Sequence, residues 1–340
     1  PVAAAVASDA AASEPAEAAL ARAERLPPLE ALAVLDEVIA RCQDRRIYRV
    51  AHLAAQGRCD ELHDLEGCRR RAADVVASPL AFWVDARQRP PHYVPGLAAR
   101  PWWRPPEWCR TRVRTCPGHP GTRVVALIRI TRRSRATPMD APRRRGGDRG
   151  GAATGPRRCR NLEKHVHVIR EEFEAFVATE RARAAFRPVS RRDQDLAGGP
   201  DKWRQCSVLE HCPRTAALLP DCVADAARRG LGQAIFSVLA PGTRLRPHCG
   251  PTNSRLTLHL GIIVPPACGA LTAGGEARAW RDGEALVFDD SFEHEAVVND
   301  GPRVVLLCNF WHPDVTPSEW AEIAAAERRA REGAGGRVVA

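Results

Sequence analysis

Hydrophobic residues recur every three to four positions between residues 29 and 77, which is the spacing of amphipathic helices. The segment "LEALAVLDEVIARC" (29–42) places its apolar side chains on one helical face, and "IYRVAHLAAQGRCDELHDLEGCRRRAADVVA" (47–77) continues the pattern. Residues 1–78 are therefore predicted to form a small α-helical region. Paired helices of this kind also fit a degenerate helical repeat.

Proline and tryptophan replace the helical pattern from residue 79. The segment "FWVDARQRPPHYVPGLAARPWWRPPEW" (82–108) contains too many prolines for a helix, and Trp102, Trp103 and Trp108 are predicted to pack onto a neighbouring sheet. We assign 79–109 to the start of the domain that follows. Further along, "NLEKHVHVIREEFEAF" (161–176) has the apolar stripe of an amphipathic helix.

Short alternating or β-branched runs, separated by Pro, Gly and Asp turns, fill the final third of the chain. They predict a mainly β domain over 161–320, with the two sheets of a jelly roll or cupin, followed by a helix or tail over 321–340. The predicted strands are 233–239, 255–264, 276–280, 285–289, 294–299 and 303–311.

Positive charge is concentrated in one segment. The formal net charge is +10, but residues 110–160 hold 15 of the 51 basic residues and two of the 41 acidic ones, which leaves 36 basic against 39 acidic residues elsewhere. Because this segment is rich in Gly and Pro and lacks periodicity, it is predicted to be a disordered insertion or retained non-coding sequence. An RNA- or polyanion-binding arm is the alternative, but no aromatic residues accompany the arginines, so no nucleic-acid partner is expected.

Cysteine usage and hydropathy bear on the compartment. The twelve cysteines form no Cys-x-x-Cys pair, so no zinc module is predicted. One disulfide among Cys206, Cys212 and Cys222 would fit a secretory compartment, whereas free buried thiols would fit the cytosol. No run approaches the ~18 apolar residues that span a bilayer. Pro1 is not a natural start, so a signal or anchor upstream of it stays open.

Three histidines fall on or beside the predicted strands, at His248, His259 and His294. The segment "FDDSFEHE" (288–295) crowds five acidic or histidine residues at a strand end, and Arg303 begins the last strand. In iron/2-oxoglutarate oxygenases this order has a chemical reason: two imidazoles hold Fe(II), and a buried guanidinium binds the far carboxylate of 2-oxoglutarate as a bidentate fork. A solvated acidic turn with structural histidines is the alternative.

The segments "IFSVLAPGTRLRPHCGPTNSRLTLHLGIIVP", "WRDGEALVFDDSFEHEAVVN" and "RVVLLCNFWHPDVTP" resemble the catalytic domain of the aspartyl/asparaginyl β-hydroxylase family. The resemblance covers residues 233–317 almost continuously, with weaker similarity in "YVPGLAARPWW" and "LEKHVHVIREEFEAF". The motifs PH-x-GPTN, LHLG, FDDSFEHE and WHP together make it highly specific.

The resemblance implies a double-stranded β-helix fold and an iron site. It implies that His248 and His294 ligate Fe(II), that Arg303 pairs with the distal carboxylate of 2-oxoglutarate, and that O2 is the second cosubstrate. It also implies that Gly250 stands where other iron oxygenases place a carboxylate, which this family dispenses with. The further contacts to 2-oxoglutarate that it implies are Ser237, Arg255 and His259.

The predicted function is a peptide-aspartate β-dioxygenase-like activity, with a protein or peptide as the substrate. Thr257 weakens the inference of an Asp or Asn target, because animal members have a basic residue there that helps to hold the substrate's carboxylate. The alternatives are the same chemistry on a lipid acyl chain or small metabolite, and a catalytically silent cupin-like binding module. Similarity to animal members would imply the endoplasmic reticulum or secretory pathway, and otherwise the cytoplasm; the oligomeric state stays open.

Overall fold

The computed structural model describes residues 14–103 and 160–334. The predicted disordered insertion at 110–160 lies outside the described residues except for its last position, as does Trp108. The chain separates into two compact units, Pro1–Arg89 and Pro90–Ala340. Among the described residues, no helix is both long and apolar enough to cross a membrane.

The first unit is helical, as the apolar spacing predicts. The long pattern from 47 to 77 does not form one helix, however, because His63 takes a left-handed conformation with φ of 57° and divides it. The carboxylates of Asp44 and Asp64 then cap the two helices by accepting bonds from backbone N–H groups. The helices are α1 Ala16–Ala23, α2 Pro28–Arg41, α3 Arg45–Glu61 and α4 Leu65–Ala77.

Helices of the second unit pack against one side of a sheet. The predicted amphipathic helix at 161–176 is present, with a break at His165. The helices of this unit are α5 Arg160–Lys164, α6 Val166–Val177, α7 Glu180–Ala185, α8 Arg191–Ala197, α9 Val208–His211, α10 Pro213–Leu218, α11 Asp221–Arg228 and α12 Trp320–Ala334.

Two antiparallel sheets form the body of the second unit and confirm the predicted jelly-roll architecture. The larger sheet has the order β1-β9-β6-β11-β4-β3-β2, and the smaller has the order β5-β10-β7-β8. The strands are β1 Trp102–Trp103, β2 Arg187–Pro188, β3 Trp203–Ser207, β4 Ala234–Leu239, β5 Arg244–His248, β6 Arg255–Ile263, β7 Gly269–Ala273, β8 Glu276–Ala279, β9 Ala285–Phe288, β10 His294–Val298 and β11 Arg303–Trp311.

The larger sheet is buried on both faces. Strand β11 is buried at every position, which explains why its sequence is an almost unbroken apolar run. On one face, Phe236 packs against Phe173 of α6, with ring centroids 4.8 Å apart. On the other, Leu307 and Val305 join residues of the smaller sheet in a second apolar cluster. This second face leads into the cavity that contains the predicted site.

Candidate active site

His248 and His294 are brought together by strand pairing. His248 ends β5 and His294 begins β10, and the two residues are register partners in the smaller sheet. Their ring centroids lie 4.2 Å apart. Two residues that are 46 positions apart in sequence therefore present adjacent imidazoles to one cavity.

Backbone carbonyls fix the protonation of both rings. The Nδ1 of His248 lies 2.7 Å from the carbonyl oxygen of Arg246, and the Nδ1 of His294 lies 2.9 Å from that of Phe292. A carbonyl can only accept, so each Nδ1 carries the proton and each Nε2 keeps its lone pair. Burial lowers the pKa of both imidazoles, which favours the neutral form that can bind a metal.

Arg303 is a buried cation at the other end of the cavity. Its side chain is almost fully enclosed, with 2% of the residue exposed. Burial lowers its pKa to about 9, which still leaves the guanidinium charged at neutral pH. One nitrogen, Nη2, donates to the hydroxyl of Ser237 at 3.4 Å, whereas Nε and Nη1 have no hydrogen-bond partner within the described part of the chain. A buried cation with unused donors is suited to an anionic ligand.

His259 and Ser237 lie beside Arg303 and are each bonded to a tryptophan. The indole N–H of Trp280 donates to Nδ1 of His259 at 3.2 Å, and the indole N–H of Trp203 donates to the hydroxyl of Ser237 at 3.0 Å. Burial and the nearby charge of Arg303 hold the pKa of His259 well below its usual value. Both Ser237 and His259 line the cavity.

Gly250 leaves no room for a side chain. A Cβ built there would lie 2.6 Å from Cγ of Asp290 and 2.9 Å from its carbonyl oxygen, and the Gly250 N–H donates to that same carbonyl at 2.6 Å. The carboxylate of Asp290 therefore occupies the space of the missing side chain. Its Oδ2 pairs with Arg255 at 2.9 Å, while Oδ1 is buried without a hydrogen-bond partner among the described residues.

Arg255 has two further contacts that the sequence does not indicate. Its guanidinium donates to the carbonyl of Leu231 and pairs with Asp290, and both charged side chains are largely enclosed. This geometry favours a role in holding Asp290. A contact between Arg255 and 2-oxoglutarate stays a prediction.

Thr257 forms a neutral polar wall with Asn309. The amide nitrogen of Asn309 donates to the Thr257 hydroxyl at 2.8 Å, and its amide oxygen accepts from the backbone N–H of Gln233 at 3.0 Å. Thr257 and Asn309 are both buried and both line the cavity. This wall is uncharged, whereas animal members of the resembling family have a basic residue at the position of Thr257.

A single cavity of about 390 Å³ contains all six predicted site residues. Within residues 14–103 and 160–334, no third histidine, cysteine or carboxylate completes a metal-binding group of three. The residues that sequence reasoning missed are the partners of the predicted ones: Trp203, Trp280, Asp290 and Asn309. Of these, Asp290 was visible within FDDSFEHE, but its role depends on a contact with Gly250.

The loop between β5 and β6 is held from two sides. Asn253 donates to and accepts from the backbone of Val94, at 2.9 and 2.7 Å. The carboxylate of Glu327 on α12 accepts bonds from the hydroxyls of Thr252 and Ser254, at 2.7 and 2.6 Å. These contacts fix the segment that connects His248 to the residues of β6.

The cysteines near the site are free thiols. Cys206, Cys212 and Cys222, for which a disulfide was considered, are all unpaired by disulfide bonds in this structure. Burial raises the pKa of Cys206 to about 11 and that of Cys212 to about 12, so both thiols stay protonated at neutral pH.

Comparison with known proteins supports the motif-based resemblance. The family model described as aspartyl/asparaginyl beta-hydroxylase matches residues 163–313. The mouse aspartyl/asparaginyl beta-hydroxylase is 32% identical over 177 residues, 49% of this chain and 23% of that protein. The rat aspartate beta-hydroxylase domain-containing protein 2 is 45% identical over 123 residues, 35% of this chain and 33% of the relative. The chain thus spans about a quarter to a third of the relatives it matches.

Solved structures show weaker similarity. A prolyl-4-hydroxylase from Pseudomonas putida is 17% identical, with 44% of this chain and 87% of that chain covered and a TM-score of 0.31. HygX from Streptomyces hygroscopicus, with nickel and 2-oxoglutarate bound, is 13% identical over 44% of this chain and 79% of its own, also at 0.31. These scores are too low to support the assignment, which rests on the sequence match and its motifs. Residues 163–313 are therefore similar in sequence to the aspartyl/asparaginyl beta-hydroxylase family.

Proposed function

We propose that the second unit is an Fe(II)- and 2-oxoglutarate-dependent dioxygenase domain that hydroxylates the β-carbon of Asp or Asn side chains in a protein or peptide. The observation that carries the proposal is the composition of the cavity. It holds two adjacent imidazoles with free Nε2 lone pairs, and it also holds a buried guanidinium with unused donors.

The donor set fits a divalent transition metal. Neutral imidazoles are good ligands for iron, and the Nδ1–H bonds of His248 and His294 to carbonyls orient both rings and raise the basicity of Nε2. The orphaned Oδ1 of Asp290 adds a buried acceptor beside the pair. Such an acceptor would suit a hydrogen bond from a water molecule held at the site.

The opposite end of the cavity fits the distal carboxylate of 2-oxoglutarate. Arg303 has unpaired donors at Nε and Nη1, and a carboxylate can form a bidentate fork with Nη1 and the second N–H of Nη2. Arg255 in the cavity lining is paired with Asp290, whereas no carboxylate among the described residues forms an ion pair with Arg303. A dicarboxylate cosubstrate therefore supplies both the missing charge and the missing acceptors.

When bound, the metal would activate O2, with 2-oxoglutarate as the co-reductant that is converted to succinate and CO2, and one oxygen atom would convert a substrate C–H bond to C–OH. The residues of this chain bind, orient and enclose. His248 and His294 present lone pairs, while Arg303, Ser237 and His259 present donors. The apolar residues Leu245, Leu271 and Leu307 around them reduce the access of water.

A neutral substrate is the second candidate, and one observation favours it. The wall formed by Thr257 and Asn309 has no cation for a substrate carboxylate, and Arg255 is already neutralised by Asp290. The same hydroxylation of a lipid acyl chain or a small neutral metabolite would suit such a wall. A catalytically silent binding module is the third reading, and it predicts no turnover of 2-oxoglutarate.

The test uses the purified full chain with Fe(II), labelled 2-oxoglutarate and O2. Succinate release and the gain of one oxygen atom in the substrate are measured with Asp-containing peptides, Asn-containing peptides and acyl-chain substrates. His248→Ala and Arg303→Gln should abolish turnover, whereas His167→Ala, at an exposed position on α6, should not. If the native chain retains no metal and forms no succinate with any substrate, the proposed function is wrong.

A further inference from the structure

Two indole N–H groups donate hydrogen bonds to residues beside Arg303. Trp280 donates to Nδ1 of His259 at 3.2 Å, and Trp203 donates to the Ser237 hydroxyl at 3.0 Å. An indole nitrogen can only donate, so each bond identifies its partner atom as an acceptor without ambiguity. Each bond therefore also determines whether its partner presents a donor or an acceptor to the cavity.

In His259 the bond from Trp280 fixes the tautomer. Because Nδ1 accepts from the indole, it holds the lone pair, and the proton of the neutral ring is on Nε2. Protonation of Nδ1 would place two N–H groups against each other, so the indole also opposes the charged form. Burial and the charge of Arg303 act in the same direction. His259 thus presents an N–H donor, the opposite of the lone pairs that His248 and His294 present.

In Ser237 two donors occupy the acceptor positions of the hydroxyl. The indole of Trp203 lies at 3.0 Å and Nη2 of Arg303 at 3.4 Å from the same oxygen. A hydroxyl has two lone pairs and one hydrogen, so the hydrogen is what remains for a ligand. Ser237 is 1% exposed, which leaves little water to compete for it.

Trp280 also supports the guanidinium. The Arg303 Cζ lies 4.8 Å from the centroid of the Trp280 ring, within the range of a cation–π interaction. One tryptophan, in the turn that follows β8, therefore contacts His259 on β6 and Arg303 on β11. The contact joins the smaller sheet to two strands of the larger one.

We infer that Trp280 and Trp203 are positioning residues that make this end of the cavity a donor-only anion site. The inference rests on the proposed function and deepens it. Ser237, His259 and Arg303 then face the ligand with O–H and N–H groups alone, so a fully ionised carboxylate is bound and a protonated acid or an amide is rejected. Trp280 has the larger effect because it acts on both His259 and Arg303.

Trp280→Phe separates the two effects of the indole. Phenylalanine keeps an aromatic face beneath Arg303 but removes the N–H that holds His259. Titration calorimetry is carried out in the presence of Mn(II), which replaces iron without turnover. The Kd of Trp280→Phe for 2-oxoglutarate should be about tenfold higher than that of the native protein, which corresponds to the loss of about one hydrogen bond to an enclosed partner. The metal affinity and kcat at saturating 2-oxoglutarate should change less than twofold.

Nitrogen NMR of the His259 ring reads the tautomer directly. The native protein should show protonated Nε2 and unprotonated Nδ1, and Trp280→Phe should show a mixture of the two tautomers. Trp320→Phe is the matched control, because that indole donates to the Val315 carbonyl outside the cavity. It should leave both the Kd and the His259 spectrum unchanged.

The outcomes distinguish this inference from the proposed function. A native protein that binds no 2-oxoglutarate would refute the proposed function. A native protein that binds 2-oxoglutarate while His259 carries its proton on Nδ1 would refute the inference alone. Equal Kd values for the native protein and Trp280→Phe would also overturn it, whatever the activity of either protein.

Discussion

Replacing Gly250 by Asp should unfold the site rather than supply a third metal ligand. A Cβ at this position would lie 2.6 Å from Cγ and 2.8 Å from Oδ2 of Asp290, closer than the 3.0 Å that real Cβ atoms respect. Overpacking of this kind costs about 1–3 kcal/mol. The displaced Asp290 would also move away from Arg255, and an unpaired buried charge costs about 3–5 kcal/mol.

These contributions set the expected order of two variants. Gly250→Ala brings the same Cβ without a second charge and should lower the free energy of unfolding by at least the overpacking cost of about 1–3 kcal/mol. Gly250→Asp adds a second carboxylate beside Asp290 and should lose about 4–8 kcal/mol, a large part of the ~5–15 kcal/mol that stabilises a typical domain.

Urea unfolding followed by tryptophan fluorescence measures these losses, and calorimetry with Mn(II) measures metal binding. Gly57→Ala is the control: this helical glycine has no heavy atom within 4 Å of its virtual Cβ, so the variant should gain about 0.5–1 kcal/mol. A Gly250→Asp protein with native stability and tighter metal binding would refute the steric reasoning and the two-histidine assignment together.

Two further predictions concern the support of the site and the pH response of the first unit. Glu327→Ala removes the acceptor for the Thr252 and Ser254 hydroxyls, so it should raise the KM for the substrate several-fold and lower the free energy of unfolding by about 1–3 kcal/mol. Glu327→Gln keeps an acceptor oxygen and should restore most of the KM and most of the stability. Arg329→Ala on the same helix is the control and should match the native protein. His52 is buried, and burial lowers its pKa to about 4. Between pH 4 and 6.5 the unfolded chain therefore binds more protons than the folded one. Acidification through this range should lower the free energy of unfolding of the first unit by up to about 3 kcal/mol. Urea titrations should show a flatter pH dependence for His52→Leu, and an equally steep one would contradict this assignment.

Several strands and the cavity histidines His248 and His294 were predictable because each depends on a short local pattern. Strand β11 reads as a continuous apolar run and is buried throughout, and the histidines follow motifs that fix their order. Strand β5, "RLRPH", escaped prediction because its charged residues hide the alternation. The break between two helices of the first unit at His63 was not predicted, because the positive φ of this non-glycine residue does not change the spacing of the apolar residues.

The state of each site residue could not be read from the chain, because it depends on contacts between distant strands. Nothing near His259 in sequence indicates that Trp280 will meet its Nδ1, and nothing near Gly250 indicates that Asp290 will fill its vacant side-chain space. Residue type and order therefore predicted which residues share the cavity. Partner identity, set by strand register and loop packing, determines what each group can do.

The tautomer of His259 is the opposite of that of His248 and His294, and this difference decides which cavity histidines can bind a metal. Three imidazoles with free lone pairs on one face form a ligand set well suited to Zn²⁺. Here His259 has its lone pair engaged by Trp280 and a proton on the other nitrogen, so it has no lone pair to give. His259 is therefore unavailable as a third ligand, which agrees with the lack of a three-group metal site among the described residues. Under the proposed function, a metal held by His248 and His294 would be left with room for exogenous ligands.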